Sequence, residues 1–221
     1  MSCSLETVTA RLQQNRLVPV VVLPDPGPAL GLAEALLRAG LNIIEVTFRT
    51  AAAEASIRAI AQRFPEMLVG AGTLLTPEQV DRAQQAGSAF GVAPGFSPRV
   101  VAHAQKIGMP FVPGIATPTE LEAAMELGCK VLKFFPAQAA GGVPMLKGMA
   151  AAYGHTGIRF MPTGGVSQSN LNSWLDVPQV IAAGGTWFVE KKLLQTENWT
   201  EVERLTREAL DLVRAHDAGV A

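Results

Sequence analysis

Between Leu17 and Ala183 the chain repeats one unit eight times, a short and almost wholly apolar run followed by a longer stretch with helical spacing of apolar residues. The apolar runs are 17–23, 41–48, 67–71, 89–93, 110–113, 130–135, 158–161 and 180–183. Strands apolar along their whole length, each followed by an amphipathic helix, indicate a parallel sheet covered on its outer face. The helical stretches lie near 28–39, 51–63, 76–86, 97–106, 117–127, 142–152 and 167–175. Three of them begin Thr76-Pro77, Ser97-Pro98 and Thr117-Pro118, a hydroxyl at the N-cap followed by a proline that needs no donor. Several stop at glycine, at 40, 87, 108 and 128, where a left-handed residue ends a helix. A further helix over about 200–215 would close the ring, and one over 5–15 would cover the bottom. The count of eight favours an α/β fold of the (β/α)8 type, a TIM barrel, over an open doubly wound sheet. The expectation is one domain over 1–221, with residues 1–16 as an N-terminal helical extension.

Composition narrows the partners. A formal net charge of -1 gives no general attraction for nucleic acid or for an anionic membrane. No stretch reaches the roughly 18 apolar residues of a membrane helix, and the polar first sixteen residues hold no apolar export region. The two cysteines, Cys3 and Cys129, form no CxxC, so a reducing compartment, the cytoplasm, is expected.

Glycine and proline gather where the strands end: Gly70-Ala71-Gly72-Thr73, Pro94-Gly95, Pro113-Gly114, Pro136 and Pro162-Thr163-Gly164-Gly165, then Gly184-Gly185-Thr186. One such pair is a tight turn. The recurrence at one phase of successive units points to a shared site on the C-terminal face, where barrels build their active sites.

The sharpest single signal is Lys133 within Lys130-Val131-Leu132-Lys133-Phe134-Phe135. Strand side chains alternate, so Val131, Lys133 and Phe135 share one face, and Leu132 and Phe134 the other. An ammonium in an apolar wall costs several kcal/mol unless paired or neutralised. Burial of an amine favours its neutral form, the one that attacks a carbonyl. The alternative is a lysine snorkelling from the rim. Glu45 holds a comparable place, with Thr47 and Arg49 on its face if the strand stays extended. It is either a general base or a buried counter-ion for Arg49 or Lys133. Amine, carboxylate and guanidinium together suit imine chemistry: the first makes the electrophile, the second moves protons, and the third receives a substrate carboxylate. The glycines of Thr163-Gly164-Gly165 and Gly184-Gly185-Thr186 stand where barrels bind phosphate. His103, His155 and His216 share no ligand spacing, and Gly70-Ala71-Gly72 lacks the full dinucleotide pattern, so neither metal nor cofactor is expected.

These segments, with Pro19-Val20-Val21, Glu45-Val46-Thr47-Phe48-Arg49, Lys133-Phe134-Phe135-Pro136-Ala137 and Gly184-Gly185-Thr186-Trp187, resemble the 2-keto-3-deoxy-6-phosphogluconate aldolase family, also associated with 4-hydroxy-2-oxoglutarate aldolase activity. The resemblance implies a class I aldolase on a (β/α)8 barrel, assembled as a homotrimer. It places the Schiff-base lysine at Lys133 and the acid/base glutamate at Glu45. It assigns pyruvate-carboxylate contacts to Arg49, Thr73 and Thr163, and packing around the imine to Pro94 and Phe135. Phosphate contacts fall on Gly164, Gly165, Gly184, Gly185 and Thr186, the last often serine in relatives. Ala93 stands where relatives commonly carry serine or threonine, and Phe134 where they carry leucine. The implied partners are a phosphorylated sugar acid, pyruvate and glyceraldehyde 3-phosphate. A phosphosugar isomerase or epimerase, or a noncatalytic sugar-phosphate binding barrel, is the competing reading, and neither needs a covalent lysine.

Overall fold

The computed structural model describes residues 4–220. Cys3 lies outside the described residues. Helix α1 (Leu5–Asn15) starts at Ser4, whose hydroxyl accepts from the amide of Thr7, and buries Val8 and Leu12. Its Arg11 donates to the carbonyls of Asn42 and Glu66 at 2.9 and 2.8 Å, just ahead of two strands. The helix therefore lies across the N-terminal end of the sheet, as the sequence suggests.

From there strand and helix alternate: β1 (Leu17–Val21), α2 (Pro28–Ala39), β2 (Ile43–Thr47), α3 (Ala53–Arg63), β3 (Leu68–Gly72), α4 (Pro77–Gln85), β4 (Phe90–Val92) and α5 (Pro98–Lys106). Next come β5 (Phe111–Val112) and β6 (Gly114–Ile115), two pieces of one extended segment interrupted at Pro113, which has no amide hydrogen for the ladder. The series continues with α6 (Pro118–Glu126), β7 (Val131–Phe134), α7 (Gly142–Tyr153), β8 (Arg159–Pro162), α8 (Leu171–Leu175), β9 (Ala183–Gly185), α9 (Lys191–Gln195) and α10 (Trp199–Val220). All paired strands are parallel, in the orders β5-β4-β3-β2-β1-β9 and β6-β7-β8. The β5–β6 segment joins the two sheets at one seam. Bridges Phe160↔Val180 and Thr163↔Gly184, each with one partner just outside its strand, join the β8 and β9 segments at the other. The result is a (β/α)8 ring.

Local chemistry explains most boundaries. Thr76 caps α4 through the amide of Gln79, and Thr117 with Glu120 forms a reciprocal capping box at α6. Ser97 has the extended backbone of an N-cap but makes no capping bond. Gly40 and Gly128, at φ 95° and 74°, turn the chain out of α2 and α6. Two differences from the sequence reading stand out. The stretch 167–175 is helical only from Leu171, because the Asn170 side chain accepts from the Ser167 amide and donates to the Gly165 carbonyl, holding a turn in place of the first helical bonds. Gly184 and Gly185 belong to the last strand rather than to the loop after it. Helix α9 and the end of α10 were outside the expected helices.

Outward strand residues pack under the helices. Phe134 is fully buried, its ring 6.4 Å from that of Trp174 on α8, as the alternation along β7 requires. Trp199 lies on α2 so closely that a Cβ at Gly31 would come within 2.6 Å of its Cε2. Cys129 is a free, buried thiol whose burial pushes its pKa up to about 11, away from the reactive thiolate. Because Phe134 belongs to the outer layer, Phe134→Ala is expected to lower unfolding free energy by about 3–5 kcal/mol in urea denaturation. A loss under about 1 kcal/mol would show that the ring does not pack as described.

Candidate active site

Counting β5–β6 as one position, β2 and β7 stand second and sixth in the ring, on opposite walls. Each sends one charged side chain inward. Lys133 Nζ donates to both oxygens of Glu45, at 3.0 and 3.3 Å. Lys133 is 4% exposed and Glu45 0%. The other lysines, Lys106, Lys130, Lys147, Lys191 and Lys192, are all exposed. Lys133 therefore does not snorkel, and Glu45 is its counter-ion rather than that of Arg49. Phe135 lies on the same face of the chain, its ring centroid 5.6 Å from Nζ. At 3.0 Å a proton can pass directly between amine and carboxylate.

Neighbouring strands leave room for this contact. By register Gly70 stands beside Glu45, Gly72 beside Thr47 and Gly114 beside Lys133. A Cβ at Gly72 would lie 2.8 Å from the Cδ of Glu45 and closer still to Oε1. The sequence reading treated Gly72 only as part of a strand-end cluster. Its spacing of two from Gly70 on a strand was the available signal for an inward pair.

The remaining candidates occupy the C-terminal ends of the strands. Arg49 is exposed in the turn after β2 and makes no ion pair or hydrogen bond among the described residues. Thr73 follows β3 half-buried at φ 60°, a left-handed backbone unusual for a β-branched residue. Pro94 is half-buried after β4, and its backbone lies against Gly114. Thr163, one residue past β8, is 5% exposed, and its Oγ1 is buried with no partner. A buried hydroxyl without a partner is costly, and such groups mark places where a ligand or water completes the bonding. These residues come from different arcs of one rim; Lys133 contacts both Glu45 and the Phe135 ring, and Thr163 lies against Gly184.

The glycine loops are more constrained than open phosphate cradles. At Gly165 and Gly184 the space of the missing side chain is filled by Gln138 and Thr163, and at Gly185 by the ring of Trp187. Packing alone thus accounts for glycine at these three positions. Gly164 borders the Thr163↔Gly184 bridge, the Gly165 amide has no partner among the described residues, and φ values of 95° and 80° at the two glycines turn the loop sharply. Thr186 is exposed beyond β9 and borders a cleft of about 500 Å³ with Val20, Val22, Thr50 and Lys191. Among the described residues no group of three or more His, Cys, Asp and Glu is arranged to hold a metal ion, and no helix is long and apolar enough to cross a membrane.

Parallel ring, inward lysine and inward glutamate define a (β/α)8-barrel enzyme whose only buried cation, among the described residues, is one amine. Residues 8–205 match the family model for KDPG and KHG aldolase, and the chain belongs to that family. The 2-dehydro-3-deoxy-phosphogluconate aldolase of Haemophilus influenzae is 41% identical over 214 residues, 97% of this chain and 100% of that protein. Among solved structures, KDPG aldolase from Legionella pneumophila, with pyruvate captured at low pH as a covalent carbinolamine intermediate, aligns with a TM-score of 0.88 at 35% identity, covering 91% of this chain and 97% of that one. The 2-keto-3-deoxy-6-phosphogluconate aldolase of Zymomonas mobilis ZM4 with 3-phosphoglycerate aligns at 0.87 with 34% identity, covering 93% and 96%.

The orphan hydroxyl gives a test independent of substrate. Thr163→Val keeps the branched shape and removes an unsatisfied polar atom, so stability should stay level or rise by about 1–2 kcal/mol in denaturant unfolding. A clear loss of stability would reveal a protein partner for that oxygen.

Proposed function

We propose that this single-domain protein is a class I aldolase that cleaves 2-dehydro-3-deoxy-6-phosphogluconate to pyruvate and glyceraldehyde 3-phosphate. It works as a cytoplasmic homotrimer without metal or cofactor, and has some 4-hydroxy-2-oxoglutarate aldolase activity. The observation that carries this reading is the pair itself: the one buried lysine is bonded to a buried carboxylate in a ring of apolar walls. The covalent pyruvate adduct of the Legionella pneumophila relative supports an amine nucleophile here. The 3-phosphoglycerate of the Zymomonas mobilis relative supports a site for a three-carbon phosphate.

The chemistry follows from the contact. Glu45 takes a proton from Lys133 Nζ, and the neutral amine adds to the C2 ketone. The carbinolamine oxygen receives a proton from Glu45 and leaves as water, giving the protonated imine. Glu45, again a carboxylate, removes the C4 hydroxyl proton. C4 becomes the aldehyde carbon, the C3–C4 bond breaks, and its electron pair forms the enamine as the iminium charge is discharged. Glu45 returns the proton to C3, and water hydrolyses the imine to release pyruvate and the amine. The imine is the electron sink, and covalent attachment divides one difficult step into easier ones.

Binding roles are assigned on the same footing. Arg49, exposed and unpaired, receives the pyruvate carboxylate with Thr73 and the free hydroxyl of Thr163. Pro94 and Phe135 pack around the imine. The loop glycines Gly164 and Gly165, the β9 glycines Gly184 and Gly185, and the Thr186 hydroxyl surround the phosphate. The reading of a phosphosugar isomerase or a binding barrel requires no adduct, which separates it experimentally.

Borohydride reduction in the presence of pyruvate should add one pyruvate-derived group, located on Lys133 by peptide mass analysis. An adduct on another lysine, or none, removes the aldolase mechanism. For the phosphate end, Thr186→Val should lower kcat/KM for the phosphorylated substrate by roughly 1.5–3 kcal/mol if its hydroxyl bonds the phosphate directly. It should spare 4-hydroxy-2-oxoglutarate and pyruvate trapping. Equal losses on both aldol substrates would mean that this loop maintains general geometry and binds no phosphate.

A further inference from the structure

The carboxylate of Glu45 has a single hydrogen-bonding partner among the described residues, Lys133 Nζ. Thr47, beside it on the strand, spends its hydroxyl on the Val21 carbonyl at 2.9 Å. That leaves the base poorly anchored in just the states that matter. Once Nζ is part of an imine it retains at most one N–H, where the ammonium offered three. Something other than Lys133 must keep the carboxylate in place while it moves protons at C4 and C3.

Gly72 is the group against which the carboxylate lies. A Cβ there would fall 2.8 Å from both Cγ and Cδ of Glu45 and closer to Oε1. Gly72 sits in β3 without a left-handed φ, so backbone freedom does not explain a glycine at this place. Glycine also weakens a strand, which makes volume the remaining reason. Gly70, two residues earlier, similarly gives its space to Phe90, whose Cε1 and Cε2 would be 2.6 Å from a Cβ. The ring below is thereby filled, and the carboxylate has a slot above it.

We propose that Gly72 is a positioning residue: its missing side chain is the slot that holds the Glu45 carboxylate toward the reacting carbons after Lys133 has become an imine. This rests on the reading of Glu45 as the proton carrier. An alanine there forces Glu45 into another rotamer and parts it from Nζ.

The test is exchange of the pyruvate methyl protons in deuterated water, followed by NMR in wild type, Gly72→Ala, Glu45→Gln and the double variant, with borohydride trapping alongside. Gly72→Ala should slow exchange by about 10²-fold, the scale of a lost general base, with the KM for pyruvate little changed. In the Glu45→Gln background the same substitution should alter exchange by less than about threefold, since no base remains to be displaced. Wild-type exchange by Gly72→Ala, or equal losses in both backgrounds, overturns the proposal. If Glu45→Gln is slow and Gly72→Ala is not, this inference alone falls. If Glu45→Gln exchanges as wild type, the reading of Glu45 falls and takes this one with it. Should Gly72→Ala fail to fold, Glu45→Asp/Gly72→Ala decides, because the shorter acid withdraws from the slot. Recovery of folding supports a clash with Glu45, and failure to recover overturns it.

Discussion

Two opposite charges are held inside an apolar ring, and much of the architecture follows from the conditions under which that is tolerable. Desolvating a carboxylate and an ammonium costs several kcal/mol per ion, and the cost is offset only when the pair is close and well oriented. Here the amine bonds both carboxylate oxygens, at 3.0 and 3.3 Å, although the two residues are carried on opposite walls. Side chains that meet across a ring must pass in front of the strands between them. Those strands carry Gly70, Gly72 and Gly114 on the inward face, and each gives up volume to a neighbour: Phe90, Glu45 or the backbone of Pro94. The interior is thus filled, but by residues reaching in from adjacent strands rather than by each strand's own side chains.

The fold was legible because period carries it. Apolar runs of strand length followed by helical spacing, with Thr76, Thr117, Gly40 and Gly128 marking ends, leave few architectures open. Lys133 and Glu45 were legible for a related reason: a charge inside an apolar run contradicts its surroundings, and strand alternation assigned each to a face. Phe134 against Trp174 bears out the same parity on the outer side. Harder to read were features without a side-chain pattern. Ala183-Gly184-Gly185 offers no alternation, so the end of the last strand, expected over 180–183, read as a turn. The turn at 167–170 depends on Asn170 outbidding helical bonds, which composition alone does not decide. Nor does any local pattern show that the Thr163 hydroxyl is left without a partner, since that depends on what packs around it.

The glycines at the rim show how one residue type can be required for reasons that sequence cannot separate. Gly164 and Gly165 adopt a conformation that favours glycine, whereas Gly184 and Gly185 have no left-handed φ and are crowded by Thr163 and Trp187. An anion approaching this rim would therefore meet a sharply turned loop on one side and a packed, shape-filled strand on the other.

The ring is not equally stitched around its circumference. Between β2 and β3 the ladder runs through five successive residue pairs, while the β8 and β9 segments meet through two isolated bridges rather than a continuous ladder. Opening of a barrel by thermal fluctuation starts where the fewest bonds must break at once, and amide hydrogen exchange would see that line first. The loop at Gly164-Gly165 and the β9 glycines stand at the upper end of this gap. A dianion gripped by both would act as a clasp across it, and the free energy of that grip would be added to closure of the ring. On this geometry, loading of a phosphorylated substrate would tighten a join that has no continuous ladder of its own.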